Sequence, residues 1–250
     1  MLLSPDGWLY FPKPNKQARV RLFCFPGMGG DASLFFAWPH GLPEWIEVVA
    51  VQLPGRTPDL TLSPDAGPQA VIAELTAAIR PYLDRPSVFF GHSRGATGAF
   101  EVTRELQRRN YPQPMQLLLA CHPPLHVPRH AGSIYDVNTA REALEQFMDV
   151  VDKAFLEKRD AALEKRLIAW VKQDIHLWRR YRYQAEAPFA CPLTVYGAAE
   201  DQFVESENLS QWEALTTGRF HLQMFPGDHF FFYRNSQPLL QEIARHIENS

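Results

Sequence analysis

Six short runs of Val, Leu, Phe and Ile recur along the chain. They are Ala18 to Phe25 (ARVRLFCF), Glu47 to Leu53 (EVVAVQL), Ser87 to Phe90 (SVFF), Gln116 to Ala120 (QLLLA), Pro192 to Tyr196 (PLTVY) and Phe220 to Phe225 (FHLQMF). Short, mostly continuous apolar runs bounded by turn residues read as strands buried on both faces. Most stop at Gly or Pro, in FPGMGG, LPGR, FFGHS, VYGAA and MFPGDH, where a strand gives way to a loop. Between them the period changes. Val71 to Leu83 places Val71, Leu75, Ala78, Ile79 and Tyr82 on one helical face, and Ala99 to Leu106 and Leu239 to Ile247 follow the same spacing.

Strands alternating with helices predict an α/β fold: a mostly parallel central sheet flanked by helices on both faces. Ligands in such sheets bind outside the carboxyl ends of the strands, where most of the Gly/Pro loops fall. One stretch breaks the alternation. From about Leu125 to Glu186 no strand run occurs, and Thr139 to Tyr183 is charged, with Leu, Phe, Trp and Ile at helical spacing. The expected organisation is one domain over 1–250 with a helical insertion at about 125–186, placed as a lid over the carboxyl ends of the sheet.

Composition narrows the function classes. An apolar fraction of 46% in 250 residues supplies a sizeable core, and a net charge of -3 gives no basic footprint for nucleic acid. Cys24, Cys121 and Cys191 are far apart, with no Cys-x-x-Cys pair, so neither a disulfide framework nor a zinc site is expected. A reduced, cytoplasmic setting fits that usage. The segment MLLSPDGWLYFPKP has neither the basic region nor the apolar core of a signal peptide, and no run reaches the ~18 apolar residues of a membrane span.

The chemistry is carried by Gly91-His92-Ser93-Arg94-Gly95, a Gly-x-Ser-x-Gly pattern with a strand before it and a helix after it. That context marks a nucleophile elbow. A strand-to-helix turn this tight forces strained angles on Ser93 and leaves no room for side chains at Gly91 and Gly95. It also lifts the Ser93 hydroxyl clear of the backbone and aims the first N–H groups of the helix at the same spot.

A serine hydroxyl needs a base, and the base an orienting carboxylate, in the chain order Ser, acid, His. VYGAAED leaves one strand and reaches acids; FPGDHF leaves the last strand and reaches His229. His229 is therefore assigned as base and Asp201 as its orienter, with Glu200 and Asp228 as competitors. Asp228 adjoins His229, so its side chain should point away from the imidazole. His92 is expected to pack beside the elbow; His40, His122, His126, His130, His176, His221 and His246 are expected on the surface or in the core. An oxyanion also needs backbone donors. These are expected from the N–H of Arg94 and from the loop Pro26-Gly27-Met28-Gly29-Gly30, where the Met28 N–H is the choice. No metal or bound cofactor is called for.

With these residues in view, the chain resembles the stand-alone type II thioesterases of polyketide and nonribosomal peptide assembly lines. The resemblance rests on RLFCFPGMGG, VQLPGR, GHSRGA, CHPP, Asp174 followed by RRYRY, DQFV and FPGDHFFF, which together run along most of the sequence. It implies an α/β-hydrolase fold with a helical lid, and hydrolysis of acyl thioesters from the phosphopantetheine arm of acyl or peptidyl carrier proteins. It implies triad roles for Ser93, Asp201 and His229, DQFV favouring Asp201 over Glu200, and oxyanion roles for Met28 and Arg94. Gly27, the Arg94 side chain and Phe230 are candidates to touch substrate. The chain departs from the family pattern at Gly27-Met28, where an aromatic or His followed by Ala is usual, and at Arg94, where Met is usual. The lid also reads MDVVDKAFLEKRD where a Gly-rich turn is common.

A cation in the first turn of a helix opposes the dipole by about 0.3–1 kcal/mol, so Arg94 needs compensation. Two candidates are an acid, from the lid or Asp31, and an anionic group on the substrate. An acidic carrier would meet the clusters Arg104, Arg108, Arg109 or Arg179, Arg180, Arg182. A carboxylesterase or an acyltransferase would use the same triad. A non-catalytic binding module would not need all its positions filled.

Overall fold

The computed structural model describes residues 1–61, 63, 66–127 and 161–250. Among these, eight strands form one sheet: β1 (Leu2–Leu3), β2 (Leu9–Phe11), β3 (Val20–Phe25), β4 (Ile46–Val51), β5 (Ser87–His92), β6 (Gln116–Ala120), β7 (Leu193–Ala198) and β8 (Phe220–Phe225). Their spatial order is β1-β2-β4-β3-β5-β6-β7-β8. Pairing is parallel from β4 through β8, and only β1 and β2 run antiparallel. The six sequence-predicted strands are therefore all present. The two missed ones are too short to show a period, and β2 is fixed by pairing with β4 through Leu9 and Tyr10.

The described helices are α1 (Pro68–Ile79), α2 (Arg94–Arg108), α3 (Ala161–Trp178), two single turns, α4 (Ser206–Leu209) and α5 (Phe231–Arg234), and α6 (Gln237–Glu248). Every residue of β3, β4, β5, β6 and β7 is buried. Successive residues of a strand enter opposite layers, as a period of two requires. Phe89 joins the layer of Val71, Leu75, Ile79, Ala99 and Phe100. Phe90 joins that of Trp38, Leu239, Leu240 and Ile243. Helices α1 and α2 cover one face and α6 the other, which is why these strands read as continuous apolar runs.

After β3 the chain turns to one side to make β4 and returns to the other side to make β5. The loops leaving β3 and β5 thus diverge at a topological switch point, the position where open α/β sheets bind ligands. Phe25 is the register partner of Gly91, so the FPGMGG loop starts beside the elbow. Of the expected insertion, residues 128–160, which include MDVVDKAFLEKRD, lie outside the described residues, as does His130. The part that is described begins with α3, and its return is pinned to α2. The Tyr181 hydroxyl donates to Glu101 Oε1 (2.6 Å) and Arg104 donates to the Gln184 carbonyl (2.6 Å).

Candidate active site

β5 ends at His92 and α2 begins at Arg94, so Ser93 alone makes the turn. Its angles, φ 51° and ψ -124°, are ones a residue with a side chain rarely adopts and cost about 1–3 kcal/mol. The surroundings hold it there. The Ser93 N–H donates to the Ala120 carbonyl (2.8 Å), and its own carbonyl accepts from the Ala96 N–H (2.9 Å). Both flanking glycines are sterically required. A Cβ on Gly91 would lie 2.5 Å from the Gly95 carbonyl oxygen, and one on Gly95 would lie 2.2 Å from that of Phe25.

The result is a continuous hydrogen-bonded chain. His229 Nε2 is 2.9 Å from Ser93 Oγ, and His229 Nδ1 is 2.8 Å from Asp201 Oδ2. With a carboxylate at Nδ1, that nitrogen carries the proton and Nε2 accepts from the serine hydroxyl. The carboxylate is itself held: Asp201 Oδ1 accepts from the N–H groups of Phe203 (2.9 Å) and Val204 (3.2 Å). The competitors are elsewhere. Glu200 is exposed, and Asp228 Oδ1 turns back to the N–H of Phe230 (2.8 Å), as its adjacency to His229 predicted. The imidazole is 1% exposed, with the rings of Phe203 and Phe230 edge-on to it at 5.1 and 5.0 Å. Phe230, a candidate to touch substrate, is buried with its ring against that of His229.

Two contributors were not legible in the sequence. His92 packs beside the elbow, and it also ties the strand that ends at Ser93 to the loop that carries His229. Its Nε2–H donates to the His229 carbonyl (2.9 Å), and its Nδ1 accepts from the Tyr233 hydroxyl (3.4 Å). Burial, reinforced by repulsion from His229, holds its pKa well below 6.5, so it stays neutral. Cys121, at the end of β6, has φ 51°. Its sulfur, the Asp201 carboxylate and the His229 ring lie within 4.8 Å of one another. Burial, then the Asp201 charge and hydrogen bond, push the thiol well above its usual range, so it meets Asp201 as S–H. The only hint in sequence was its place at the carboxyl end of a strand. All three cysteines are buried thiols outside any disulfide.

Gly27 lies against the elbow, where an added Cβ would sit 3.4 Å from that of Ser93. Met28 follows it, half-buried. The Arg94 side chain is buried and its guanidinium sits over the Trp178 ring of α3 at 5.9 Å. Both border a narrow apolar cleft with Leu53, Val71, Ile72 and Leu75. Asp31 caps its own short helix, accepting from Ser33 N–H (3.0 Å). Of the other histidines, His122 is buried, hydrogen-bonded to Thr97 (3.1 Å), while His40, His126, His176 and His221 are exposed and His246 is half-buried. Arg104, Arg108 and Arg109 are each matched by Glu101, Glu105 or Glu186, so this basic group is neutralised locally. Arg179, Arg180 and Arg182 are exposed.

A mostly parallel sheet with Ser, His and Asp joined at its carboxyl edge defines the class, an α/β-hydrolase. A family model described as a thioesterase domain matches residues 20–250, and the chain belongs to that family, whose members are hydrolases of thioesters. The gramicidin S biosynthesis protein GrsT of Aneurinibacillus migulanus is 29% identical over 240 residues, 96% of this chain and 93% of that one. The type II thioesterase BorB from the borrelidin biosynthetic cluster superposes with a TM-score of 0.83 at 25% identity, covering 96% of this chain and 97% of that one. The thioesterase RedJ from the prodiginine pathway of Streptomyces coelicolor does so with a TM-score of 0.78 at 30% identity, covering 91% and 90%. Among the described residues no helix is long and apolar enough to cross a membrane.

Proposed function

We infer that this chain is a type II thioesterase that hydrolyses acyl groups from the phosphopantetheine arm of acyl or peptidyl carrier proteins, in polyketide or nonribosomal peptide assembly. Ser93 is the nucleophile, His229 the base and Asp201 the group that orients it. The observation carrying this reading is the 2.9 Å contact between His229 Nε2 and the oxygen of a serine held at φ 51°. The relatives' assembly-line settings support the choice of substrate.

His229 Nε2 takes the proton from Ser93 Oγ as the oxygen bonds to the thioester carbonyl carbon. Negative charge moves onto the carbonyl oxygen, which rests on the N–H groups of Met28 and Arg94. The carbon–sulfur bond breaks and the thiol leaves with the proton from His229. Water then attacks the acyl-serine, its proton passing through His229 back to Ser93. One thioester and one water give one acid and one thiol, with no cofactor in the balance. The insertion that contains α3 acts as a lid, and Gly27, which lies against Ser93, and the Arg94 side chain are the candidates to meet the acyl group.

The test is a carrier protein charged with varied acyl groups and followed by intact mass spectrometry. The acyl mass should be lost from the carrier with wild type and retained with Ser93→Ala. An oxygen ester hydrolysed much faster than every carrier-bound thioester would replace this reading with a carboxylesterase. Transfer of the acyl group to an added amine or alcohol in preference to water would replace it with an acyltransferase.

A further inference from the structure

The loop expected to hold the oxyanion is tied to two distant parts of the chain by one buried ion pair. Asp174, on α3, is 3% exposed. Its Oδ2 accepts from the Gly29 N–H at 2.7 Å and from Arg56 Nη2–H at 2.5 Å. Arg56 follows β4, and its side-chain exposure is 0%. It turns its Nε to the Gly30 carbonyl at 3.0 Å. A fourth bond closes the turn, from the Gly30 N–H to the Gly27 carbonyl at 3.0 Å. The Arg56 guanidinium also covers the ring of Trp170, one helical turn before Asp174, at 5.4 Å.

The fit is steric as well as polar. Gly29 has φ +73°, a left-handed angle that favours glycine, and a Cβ there would lie 2.8 Å from the Val171 side chain. Gly55 has φ +76°, and a Cβ there would overlap the Gln173 amide at 1.9 Å. Residues 170, 171, 173 and 174 present one face of α3, and that face meets both glycine turns. A buried ion pair is a poor device for stability alone, because desolvating two charges offsets most of their attraction. Its best-supported use is to fix one arrangement among several.

We propose that Arg56 and Asp174 are positioning residues that lock the Gly27–Gly30 turn so that the Met28 N–H faces the developing oxyanion. This rests on the reading of Met28 as an oxyanion donor. Asp174 occupies the Gly29 N–H, which removes it as a competing donor. Arg56 fixes the carbonyl of Gly30 on the far side. The Met28 amide is left between two anchored glycines. A donor anchored in advance stabilises charge without reorganising at the moment of reaction. Because one anchor lies on α3, the insertion is coupled to the transition state and does more than cover the site.

The test uses the full chain with Asp174→Asn, Arg56→Gln and the double variant Arg56→Met/Asp174→Leu, which leaves no uncompensated charge. Rates on a small N-acetylcysteamine thioester are normalised to active sites titrated with a fluorophosphonate. The expected result is a loss of about tenfold or more in kcat with KM within about twofold, and an equal loss of affinity for a trifluoromethyl ketone, which forms a tetrahedral oxyanion. Unchanged kcat and ketone affinity per titrated site, with only a lowered melting temperature, would show a purely structural pair and overturn the proposal. Failure of the double variant to fold would do the same. Ser93→Ala separates the two readings: if it is inactive while the clamp variants behave as wild type, the positioning role fails and the triad stands.

Discussion

His229 Nε2 and Ser93 Oγ lie 2.9 Å apart although 136 residues of chain separate them. Neither residue is brought there by local structure. β5 delivers Ser93 and β8 delivers His229, each at the carboxyl end of a parallel strand, and the sheet supplies the common edge. The His92 bond to the His229 carbonyl then joins the two loops directly.

Asp201, proposed to orient the base, has one acidic neighbour in sequence, Glu200, and geometry separates the two. Asp201→Asn leaves the site's shape intact but favours the wrong imidazole tautomer, and should lower kcat by up to about 10⁴. Glu200→Gln should stay within about twofold of wild type, since an exposed charge of this kind is screened. Steady-state kinetics of both variants on one thioester decide the matter; equal losses in the two would move the acid assignment.

Burial of neutral His92 makes a prediction for acid stability. Its pKa is held below 6.5 in the folded chain and returns to that value on unfolding. The unfolded chain therefore binds the extra proton first, and stability falls as pH drops below about 6.5, by up to about 1.4 kcal/mol per pH unit. The loss continues until the folded-state pKa is reached. In His92→Gln this contribution is absent, so its stability between pH 6.5 and 5, measured by urea unfolding, should decline less steeply than wild type. Parallel declines would show that His92 is not the group responsible.

Gly95 is packed too tightly for any side chain, with a Cβ site 2.2 Å from the Phe25 carbonyl oxygen. Backbone cannot yield as a flexible side chain does. Gly95→Ala should cost about 1–3 kcal/mol or prevent folding. A lowered urea midpoint with an unchanged slope, accompanied by loss of turnover, is the expected signature.

Arg179 and Arg180 are exposed just after α3. On that exposure and their place beside the insertion, they are the proposed surface for steering an acidic carrier. Arg179→Glu/Arg180→Glu should reduce kcat/KM on the carrier-bound acyl group by about tenfold at low salt, less so at high salt, and leave a small thioester unaffected. An equal effect on both substrates would place the defect in the enzyme and not in docking.

What the sequence made legible follows from how local each signal is. β6 and β8 match their predicted runs, because an apolar run ending in a turn is written within a few residues, although β8 at the sheet edge is buried only at Phe225 while β6 is buried throughout. The elbow was readable for the same reason: one strand, one turn and one helix explain both glycines. The α1 face at Val71, Leu75, Ala78 and Ile79 is buried as its spacing predicted. β1 and β2 were missed because two and three residues carry no period and exist only through pairing. The Cys121 contact with Asp201 and the clamp of Arg56 and Asp174 are tertiary meetings of residues whose own neighbourhoods look ordinary. The contact of the Phe230 ring with His229 is likewise a packing relation that sequence adjacency alone does not specify.

The most direct measurement is intact-protein and peptide mass spectrometry of the enzyme, quenched in acid within the first turnovers on an acyl thioester. The acyl mass should appear on the peptide containing Ser93 in wild type, accumulate where deacylation is slowed, and be absent from Ser93→Ala. Acylation of a different residue, or full hydrolysis by Ser93→Ala without any covalent adduct, would contradict the role given to Ser93.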